Sequence, residues 1–280
     1  SILEGKLSTA ANVPNLPGRV GGRVSLRENY LRQRAWWDRT AGTLSSDGRL
    51  VFAVDEVGVV GYSAGNRPST TLPREYNRLL AFELASEGKL VWELGGPPGE
   101  FQLDLGGTFF LGPPLPLDGR LLCLGELDGE VRLSMLVVEP GRPDGPVRVE
   151  WSQAIAEPEF DVQVHPTRRL AGLSPSFADG VLVCPTEAGL VVGIDLARRQ
   201  LLWSYAYRSS HSLQTTDPNQ ARRFRMMVAR GMVPPPTAED TWYDATPVIA
   251  GGRVLITPRD SNELHCIRLR DGRRMWSRPR

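Results

Sequence analysis

The sequence predicts an all-β fold in which about four copies of a four-stranded antiparallel unit follow one another along the chain. Three observations support this prediction. A turn carrying Gly opens an apolar strand four times, a Trp closes each unit, and the chain is rich in the turn residues Gly (29) and Pro (23). The turn glycines are Gly48, Gly119, Gly180 and Gly252. The closing residues are Trp92, Trp151, Trp203 and Trp276. Such a repeat indicates one supersecondary unit whose copies share a core.

The third and fourth units show the strands most clearly. In the third, apolar runs at 181–185, 190–196 and 201–205 are separated by hairpin turns. The fourth repeats this scheme at 253–257, 264–269 and 274–276. One more short strand precedes each turn glycine, at 172–177 and 246–249. Four antiparallel strands are the content of one propeller blade.

Insertions lengthen the first two units, at 56–75 and 139–146. Insertions in a repeat fold map to loops on one rim, which often bind partners. We therefore expect a repeat domain over 43–280 and an N-terminal extension or partial blade over 1–42. The same hairpins could stack as a β-sandwich, but the regular Trp closure favours a propeller.

The chain resembles a series of pyrroloquinoline-quinone-like (PQQ-like) β-propeller repeats over roughly residues 43–280. The third unit shows the resemblance most clearly. The resemblance rests on the run Asp179-Gly180-Val181-Leu182-Val183-Cys184, the strand 190–196 and the Leu-Leu-Trp that ends at Trp203. The repeat ends in Gly-x-x-x-Trp, which Gly88 with Trp92 and Gly272 with Trp276 match. Arg199 stands at that glycine position before Trp203, and Trp151 follows Gly145 by six residues, so two units depart from the pattern.

The resemblance implies that each Trp docks against the neighbouring blade, and we expect the four turn glycines to serve blade docking with the tryptophans. It also implies a ring of seven or eight blades, so the four units form a partial ring that the rest of a larger chain completes. Outer-membrane assembly lipoproteins share this repeat, and the insertions are similar to those of planctomycete envelope proteins. The resemblance thus implies a periplasmic or cell-envelope setting and a protein partner bound through the rim loops.

Some proteins with this repeat are quinone- and calcium-dependent dehydrogenases, which show an adjacent Cys-Cys pair and Glu, Asn and Asp calcium ligands. Cys123, Cys184 and Cys266 are far apart in this sequence, and no carboxylate matches a calcium ligand. We therefore expect no cofactor, with a dehydrogenase as the alternative. A sensor domain of a larger protein is the third possibility.

The sequence predicts neither a catalytic group nor a metal site. His165, His211 and His265 lack ligand spacing, and His265 and Cys266 point to opposite faces of a strand. No Gly-x-Ser-x-Gly nucleophile turn and no Gly-x-Gly-x-x-Gly after a strand occur. The cysteines are too few for a disulfide framework and are expected to be buried thiols.

Two basic, aromatic segments are candidates for protein interaction. Asp217-Pro218 predicts the start of a helix over 217–231, with an apolar face and several arginines. This helix could bind an acidic partner or pack its apolar face on the propeller rim. The second segment is 27–39. The candidate interaction residues are Arg222, Arg223, Phe224, Arg225, Trp36 and Trp37.

The net charge of +1 gives no overall attraction to nucleic acid or to a membrane surface. No stretch approaches the roughly 18 consecutive apolar residues of a transmembrane helix. Ser1 begins no signal-peptide pattern and both ends look cut, so we expect a fragment. The sequence as a whole predicts a non-catalytic scaffold or protein-interaction module.

Overall fold

The computed structural model describes residues 38–55, 75–99, 105–138, 147–159, 161–162, 166–207, 242, 244–259 and 261–279. These residues form four antiparallel sheets and very little helix, which confirms the predicted all-β fold. Helix α1 (Arg39–Gly42) and helix α2 (Pro166–Arg169) have one turn each, and Leu84–Ser86 form a 3-10 turn. The predicted helix at 217–231 lies outside the described residues.

Each sheet contains strands that are consecutive in the sequence. Sheet 1 consists of β1 (Leu44–Ser46), β2 (Leu50–Asp55), β3 (Arg78–Glu83) and β4 (Lys89–Gly95). Sheet 2 consists of β5 (Phe109–Phe110), β6 (Leu115–Leu117), β7 (Arg120–Leu127), β8 (Glu130–Val138) and β9 (Val147–Ala156). Sheet 3 consists of β10 (Ser176–Ala178), β11 (Val181–Pro185), β12 (Leu190–Asp195) and β13 (Gln200–Ala206). Sheet 4 consists of β14 (Val248–Ala250), β15 (Arg253–Ile256), β16 (Glu263–Arg268) and β17 (Arg274–Pro279).

The first strand of a sheet is shorter than the sequence pattern predicts. β10 covers only 176–178 and β14 only 248–250, because prolines at 175 and 247 precede them and cannot donate to the ladder. In sheet 2 this strand is split into β5 and β6, which both pair with β7 and are separated by Pro113-Pro114. Proline therefore sets where β6, β10 and β14 begin.

The first hairpin of each sheet explains the repeated glycine. In sheet 3, Asp179 (φ 50°) and Gly180 (φ 79°) are both in the left-handed region, and Ala178 pairs with Val181 across a two-residue turn. Positive φ at both central residues is the type I′ turn, which Asp-Gly favours. Sheet 1 instead has a four-residue loop, in which the Asp47 carboxylate accepts hydrogen bonds from the backbone N–H groups of Arg49 (2.8 Å) and Leu50 (2.6 Å).

Successive sheets pack face to face through three apolar clusters. Phe52 of sheet 1 packs in one cluster with Phe110 of sheet 2. Leu124 of sheet 2 lies in the same cluster as Leu182 of sheet 3, and Val183 of sheet 3 in the same cluster as Val254 of sheet 4. Because each sheet presents one face to the sheet before it and the other to the sheet after it, the described chain forms a series of blades.

The first strands of neighbouring sheets lie side by side. Ser45 Oγ donates to the Pro114 carbonyl (2.6 Å), and Ser176 Oγ donates to the Pro247 carbonyl (2.6 Å). Ser174, just before β10, donates to the Pro113 carbonyl (2.7 Å). The first strands are thus the inner strands, joined by hydrogen bonds around a common centre, and the sheets radiate from them as in a β-propeller.

Candidate functional site

The connections between sheets, and the hairpins between the second and third strands, lie on one rim, which we call the connector rim. Asp55, Arg78 and Gly95 lie at adjacent register positions in sheet 1. The end of β2, the start of β3 and the end of β4 therefore meet at this rim. Its described residues are 38–42, 75–77, 96–99, 105–108, 128–129, 157–159, 161–162, 166–175, 186–189, 242, 244–247, 258–259 and 261–262.

A buried ion pair fixes the connection between sheets 2 and 3. Glu126, at the end of β7, is 4% exposed, and Arg168 in α2 is 1% exposed. The Arg168 guanidinium donates to Glu126 Oε2, and the backbone N–H of Val162 donates to Glu126 Oε1 (2.6 Å). One carboxylate thus holds the connection at two points. Removing either partner of such a pair leaves an uncompensated charge in a low-dielectric environment.

A second buried arginine joins sheets 3 and 4 to the same connection. Arg259 lies in the turn between β15 and β16 and donates through Nη1 to the Leu170 carbonyl (2.7 Å). Its backbone N–H donates to Glu187 Oε1 (3.1 Å), in the corresponding turn of sheet 3. Two hairpin turns and the connection between sheets 2 and 3 are therefore tied together.

The segment that enters sheet 1 meets this connection at Thr40, which is fully buried. Thr40 Oγ1 lies 2.8 Å from the Arg169 carbonyl and accepts from the backbone N–H of Gly172 (3.1 Å). The backbone N–H of Arg39 donates to the Leu170 carbonyl (3.0 Å). Gly172 has φ 68°, and a Cβ there would lie 2.5–2.7 Å from atoms of Arg39. The contact thus requires glycine for its conformation and its lack of a side chain.

Two further cation contacts complete the cluster. Arg39 Nη2 lies 3.4 Å from Asp244 Oδ2, just before sheet 4. The Arg169 guanidinium carbon lies 4.5 Å from the centroid of the Phe109 ring, a cation–π contact. Basic and acidic side chains from segments entering sheets 1, 3 and 4 thus converge near the inner strands. We call these residues the rim cluster: Arg39, Thr40, Glu126, Arg168, Arg169, Glu187, Asp244 and Arg259.

Chemically, the rim cluster positions backbone segments. Arg168 pairs with Glu126 and Arg39 with Asp244, while the Arg259 guanidinium and the Thr40 hydroxyl bind main-chain carbonyls. Arginine suits this role because its planar, always charged group presents several donors in fixed directions. The arrangement fixes the described connections and hairpin turns of the connector rim relative to one another.

The cysteines and the described histidine are buried within or between sheets. Burial raises the pKa of the Cys123 and Cys184 thiols, so both stay protonated and unreactive at neutral pH. His265 is 2% exposed and lies against sheet 3, where its Nδ1 is 3.0 Å from the Tyr205 hydroxyl. Burial lowers the pKa of His265 and raises that of Tyr205. Cys266 is fully buried and lies beside Trp276 in register.

A small cavity lies within sheet 2, beside its face toward sheet 1. Thr108, Cys123, Ser134 and Ser152 are among its lining residues, and its volume is about 20 Å³. Thr108 Oγ1 is buried and has no hydrogen-bond partner among the described residues. A cavity of this size holds one water molecule, which would satisfy that hydroxyl.

The four predicted closing tryptophans occupy equivalent register positions but differ in burial. Each lies next to a register shift, opposite Ala81, Met135, Gly193 or Cys266 in the third strand of its sheet. Trp92 and Trp151 pack against the clusters that join their sheets to the next. Trp203 is 7% exposed, whereas Trp276 in the last described sheet is 41% exposed.

Trp203 shows how such a residue contacts the next sheet. Its Nε1 donates to the Leu269 carbonyl at 2.8 Å. A Cβ on Gly272 of sheet 4 would lie 2.7 Å from the Trp203 ring, so the indole covers this glycine. Sequence reasoning did not identify Gly272 and Leu269 as the receiving residues. The available signal was a glycine four residues before a Trp, which marks the turn that receives the previous unit's Trp.

The four turn glycines predicted to serve blade docking do not lie at contacts between sheets. Gly48, Gly119, Gly180 and Gly252 are in the first hairpin turns with positive φ, and no atom lies within 4 Å of a Cβ built on any of them. Their conformation explains the glycine, because L-residues rarely adopt these angles.

A charged contact accompanies the Trp151 position between sheets 2 and 3. Glu150, the residue before Trp151, pairs with Arg120 (2.9 Å) and with Arg199 of sheet 3. A hydrogen bond from Arg120, followed by one from Arg199, lowers the pKa of the Glu150 carboxyl. Arg199 stands where the other pattern-matching units have glycine, and its side chain forms an ion pair with Glu150.

The candidate interaction residues Trp36, Trp37, Arg222, Arg223, Phe224 and Arg225 lie outside the described residues, and their role stays a prediction. Across the described part of the chain, no group of three or more His, Cys, Asp and Glu side chains could hold a metal ion. None of the described helices is long and apolar enough to cross a membrane.

No protein-family model and no curated protein matches this chain. Among solved structures it is similar to BamB from Moraxella catarrhalis, at 13% identity and a TM-score of 0.44, over 84% of this chain and 62% of that one. It is also similar to a europium-containing methanol dehydrogenase, at 13% identity and a TM-score of 0.39, over 61% of this chain and 26% of that one. Both are PQQ-like β-propeller proteins. The likeness is one of fold. The chain spans less than two thirds of either protein.

Proposed function

We propose that this chain is a non-catalytic scaffold that binds a protein partner of the bacterial cell envelope through its connector rim. The observation that carries the proposal is the rim cluster, which uses buried charges to fix connections on the same rim from which the long insertions leave the propeller. Buried Arg and Glu residues are costly, so a chain that retains them gains a defined arrangement. The envelope setting and the completion of the ring by further sheets come from the family resemblance.

The insertions are the proposed binding elements. Residues 56–74 connect β2 to β3, and residues 208–241 connect β13 to β14, so both begin and end at the connector rim. The second contains the arginine-rich stretch around Phe224. Basic and aromatic side chains dominate many protein interfaces, and an acidic patch is the complementary partner surface.

Site-specific photo-crosslinking in the envelope fraction of the native cell tests this proposal. A photoreactive amino acid at Arg225 is expected to yield one discrete adduct with a partner protein. The control position is Asp179, in a turn on the opposite rim, where we expect none. Equal adducts from both positions, or none from either, would contradict rim binding.

An activity assay separates the scaffold from the dehydrogenase alternative. The whole protein is incubated with pyrroloquinoline quinone, calcium, a panel of alcohols and a redox dye. We expect no cofactor-dependent dye reduction. Dye reduction that requires the quinone would overturn the non-catalytic assignment.

A further inference from the structure

The rim opposite the connector rim, which we call the turn rim, carries its charges unevenly. It contains the first hairpin turn of each sheet and the turn between the third and fourth strands. In sheet 1 its described residues include Arg49 and Lys89 against three carboxylates, and in sheets 2 and 3 they include as many carboxylates as arginines. The described residues of the turn rim are 47–50, 83–89, 117–120, 137–138, 147–150, 178–181, 195–200, 250–253 and 268–273.

Sheet 4 differs, because its part of the turn rim carries four arginines and a single carboxylate, Asp271. Asp271 Oδ2 lies 3.1 Å from Arg268 and 3.7 Å from Arg273, whose side chain is nevertheless 80% exposed. Arg253 and Arg270 are exposed and form no ion pair within the described part of the chain. The whole chain has a net charge of only +1, so this excess of positive charge is local to the turns of sheet 4.

Two exposed leucines begin the outer strand of the neighbouring sheet 3. Leu201 is 55% exposed and Leu202 is 46% exposed. Successive residues of a regular strand point to opposite faces, but here a register shift makes Leu202 an extra residue between Leu201, opposite Ile194, and Trp203, opposite Gly193. Sheet 3 packs against another sheet on both faces, so the leucines belong to its outer edge and not to an uncovered face.

The leucines and the arginines form one surface, because Trp203 joins the two sheets at this point. Trp203 follows Leu202 in β13, and its Nε1 donates to the Leu269 carbonyl in the basic turn of sheet 4 at 2.8 Å. Consecutive Cα atoms are about 3.8 Å apart, so Leu202 lies close to that turn. We call the following residues the turn-rim patch: Leu201, Leu202, Arg253, Arg268, Arg270 and Arg273.

The composition of the turn-rim patch matches the interfacial region of an anionic membrane. Arginines are attracted to lipid phosphates, and leucine side chains are stabilised at the boundary between headgroups and acyl chains. The phosphates of a nucleic acid would bind the arginines but would leave the leucines in water. Leucine is also under-represented among the residues that dominate protein interfaces. Exposed leucines beside arginines that lack ion pairs therefore favour a membrane surface.

We propose that the turn-rim patch binds the surface of a membrane that contains anionic phospholipids. The guanidiniums of Arg253 and Arg270 pair with lipid phosphates, and the side chains of Leu201 and Leu202 enter the headgroup region. The connector rim then faces away from the membrane, because it lies at the other ends of the same strands. The proposal does not depend on the scaffold function.

Cosedimentation with lipid vesicles tests the proposal. One set of vesicles contains phosphatidylglycerol and phosphatidylcholine in equal amounts, and the other contains phosphatidylcholine alone. We expect the protein to bind the anionic vesicles and to bind the neutral ones far more weakly. Binding to the anionic vesicles should fall steeply in roughly 1 M sodium chloride, where the Debye length is about 3 Å.

Two double substitutions of arginine separate the turn rim from net charge. An arginine near an anionic surface strengthens binding about fivefold, so Arg253→Gln with Arg270→Gln should weaken binding about 25-fold. The matched control is Arg78→Gln with Arg278→Gln, which removes the same charge at the connector ends of β3 and β17. A strand of six residues is about 20 Å long, more than two Debye lengths at physiological salt, so the control should bind as the wild type does.

Substitution of the leucines tests the apolar half of the patch. Leu201→Ser with Leu202→Ser should weaken binding to anionic vesicles by about tenfold or more, while the dependence on salt stays as in the wild type. These positions and those of the arginine variants are at the surface, so every variant should keep the wild-type midpoint of urea denaturation, which excludes a lost fold as the cause.

Several results would overturn the proposal. These are no binding to anionic vesicles, equal binding to both kinds of vesicle, or equal losses for the two arginine pairs. A further such result is vesicle binding that ignores the leucines while duplex DNA or polyglutamate binds equally tightly, since the patch would then serve an acidic macromolecule. None of these outcomes bears on partner binding by the connector rim.

Discussion

The arginines of this chain fall into two groups: buried ones that hold connections between sheets, and exposed ones that form surface ion pairs. Arg168 and Arg259 are almost fully buried and hold connections between sheets. Arg78 and others form surface pairs, such as Arg78–Glu93 at 3.1 Å with both side chains partly exposed. Surface pairs contribute about 0–1 kcal/mol, whereas breaking one partner of a buried pair costs about 3–5 kcal/mol. The fold should therefore depend on a few arginines only.

Substitution of Glu126 tests this difference. Glu126→Gln keeps the side-chain size but leaves the buried Arg168 guanidinium without its counter-charge, so we expect a loss of about 3–5 kcal/mol in unfolding free energy. The control is Glu93→Gln, which removes the exposed pair with Arg78 and should cost less than about 1 kcal/mol. Urea denaturation measures both. Equal losses would show that the buried pair contributes no more than a surface pair.

The indole hydrogen bond gives a second prediction at this scale. Trp203→Phe keeps an aromatic ring but leaves the buried Leu269 carbonyl without its donor, which should cost about 1–3 kcal/mol. Trp276→Phe is the matched control in an exposed position and should change the unfolding free energy by less than about 0.5 kcal/mol. If both variants unfold alike, the bond from Trp203 Nε1 to Leu269 contributes nothing to stability.

Sequence reasoning located the tryptophans but missed the residues that receive them. A Trp in a repeated pattern is visible because its spacing recurs within one unit. Gly272 and Leu269 belong to the unit that follows Trp203, so this pairing exists only once two sheets are stacked. Buried Arg168 and Arg259 were missed for a related reason, since a charged residue in a loop is normally exposed and nothing local marks it as buried.

At the scale of the strand, the recurrent feature is a register shift beside each Trp. A bulge re-aims side chains and increases local twist, which places the large indole toward the next sheet. The sequence predicted the four-sheet organisation because hairpin turns and apolar runs are local signals. It misplaced the starts of β10 and β14, since whether a short apolar segment beside Pro joins a ladder is decided by its neighbours.

The contact between β13 and β16 predicts a pH dependence of stability. Burial lowers the pKa of His265 below the usual 6.5, and Tyr205, Ser261, Glu263 and Arg274 surround its ring. The unfolded chain then binds more protons than the folded one as the pH falls through 6.5. Stability is therefore complete above about pH 6.5 and decreases below it until the folded pKa is reached.

Denaturation of wild type and His265→Gln between pH 7.5 and 5.5 measures this effect. The wild type should lose stability as the pH falls, and the variant should lose less over the same interval. A matched variant at His211, outside the described sheets, should follow the wild type. Identical slopes for wild type and His265→Gln would contradict a buried neutral imidazole.

At the scale of the whole molecule, the apolar core of the described residues lies between sheets that are consecutive in the sequence. The three apolar clusters join sheet 1 to 2, 2 to 3 and 3 to 4. Stability in such a series is close to a sum of sheet terms and nearest-neighbour interface terms. Among the described residues, sheets 2 and 3 pack against another sheet on both faces, whereas sheets 1 and 4 do so on one face. The end sheets should therefore open at lower free energy than the middle ones.

Hydrogen exchange on wild type and on Trp203→Ala resolves these differences along the chain. Amides of β15 and β16 should exchange faster than those of β7 and β8, although all four strands are paired on both sides. Trp203→Ala removes the contact between sheets 3 and 4, so it should lower protection in β15 and β16 by tenfold or more, since truncating a buried Trp costs about 3–5 kcal/mol. Protection in β7 and β8 should change little, because no apolar cluster of the described residues joins sheet 2 to sheet 4. If protection instead falls uniformly, the four sheets unfold as one cooperative unit.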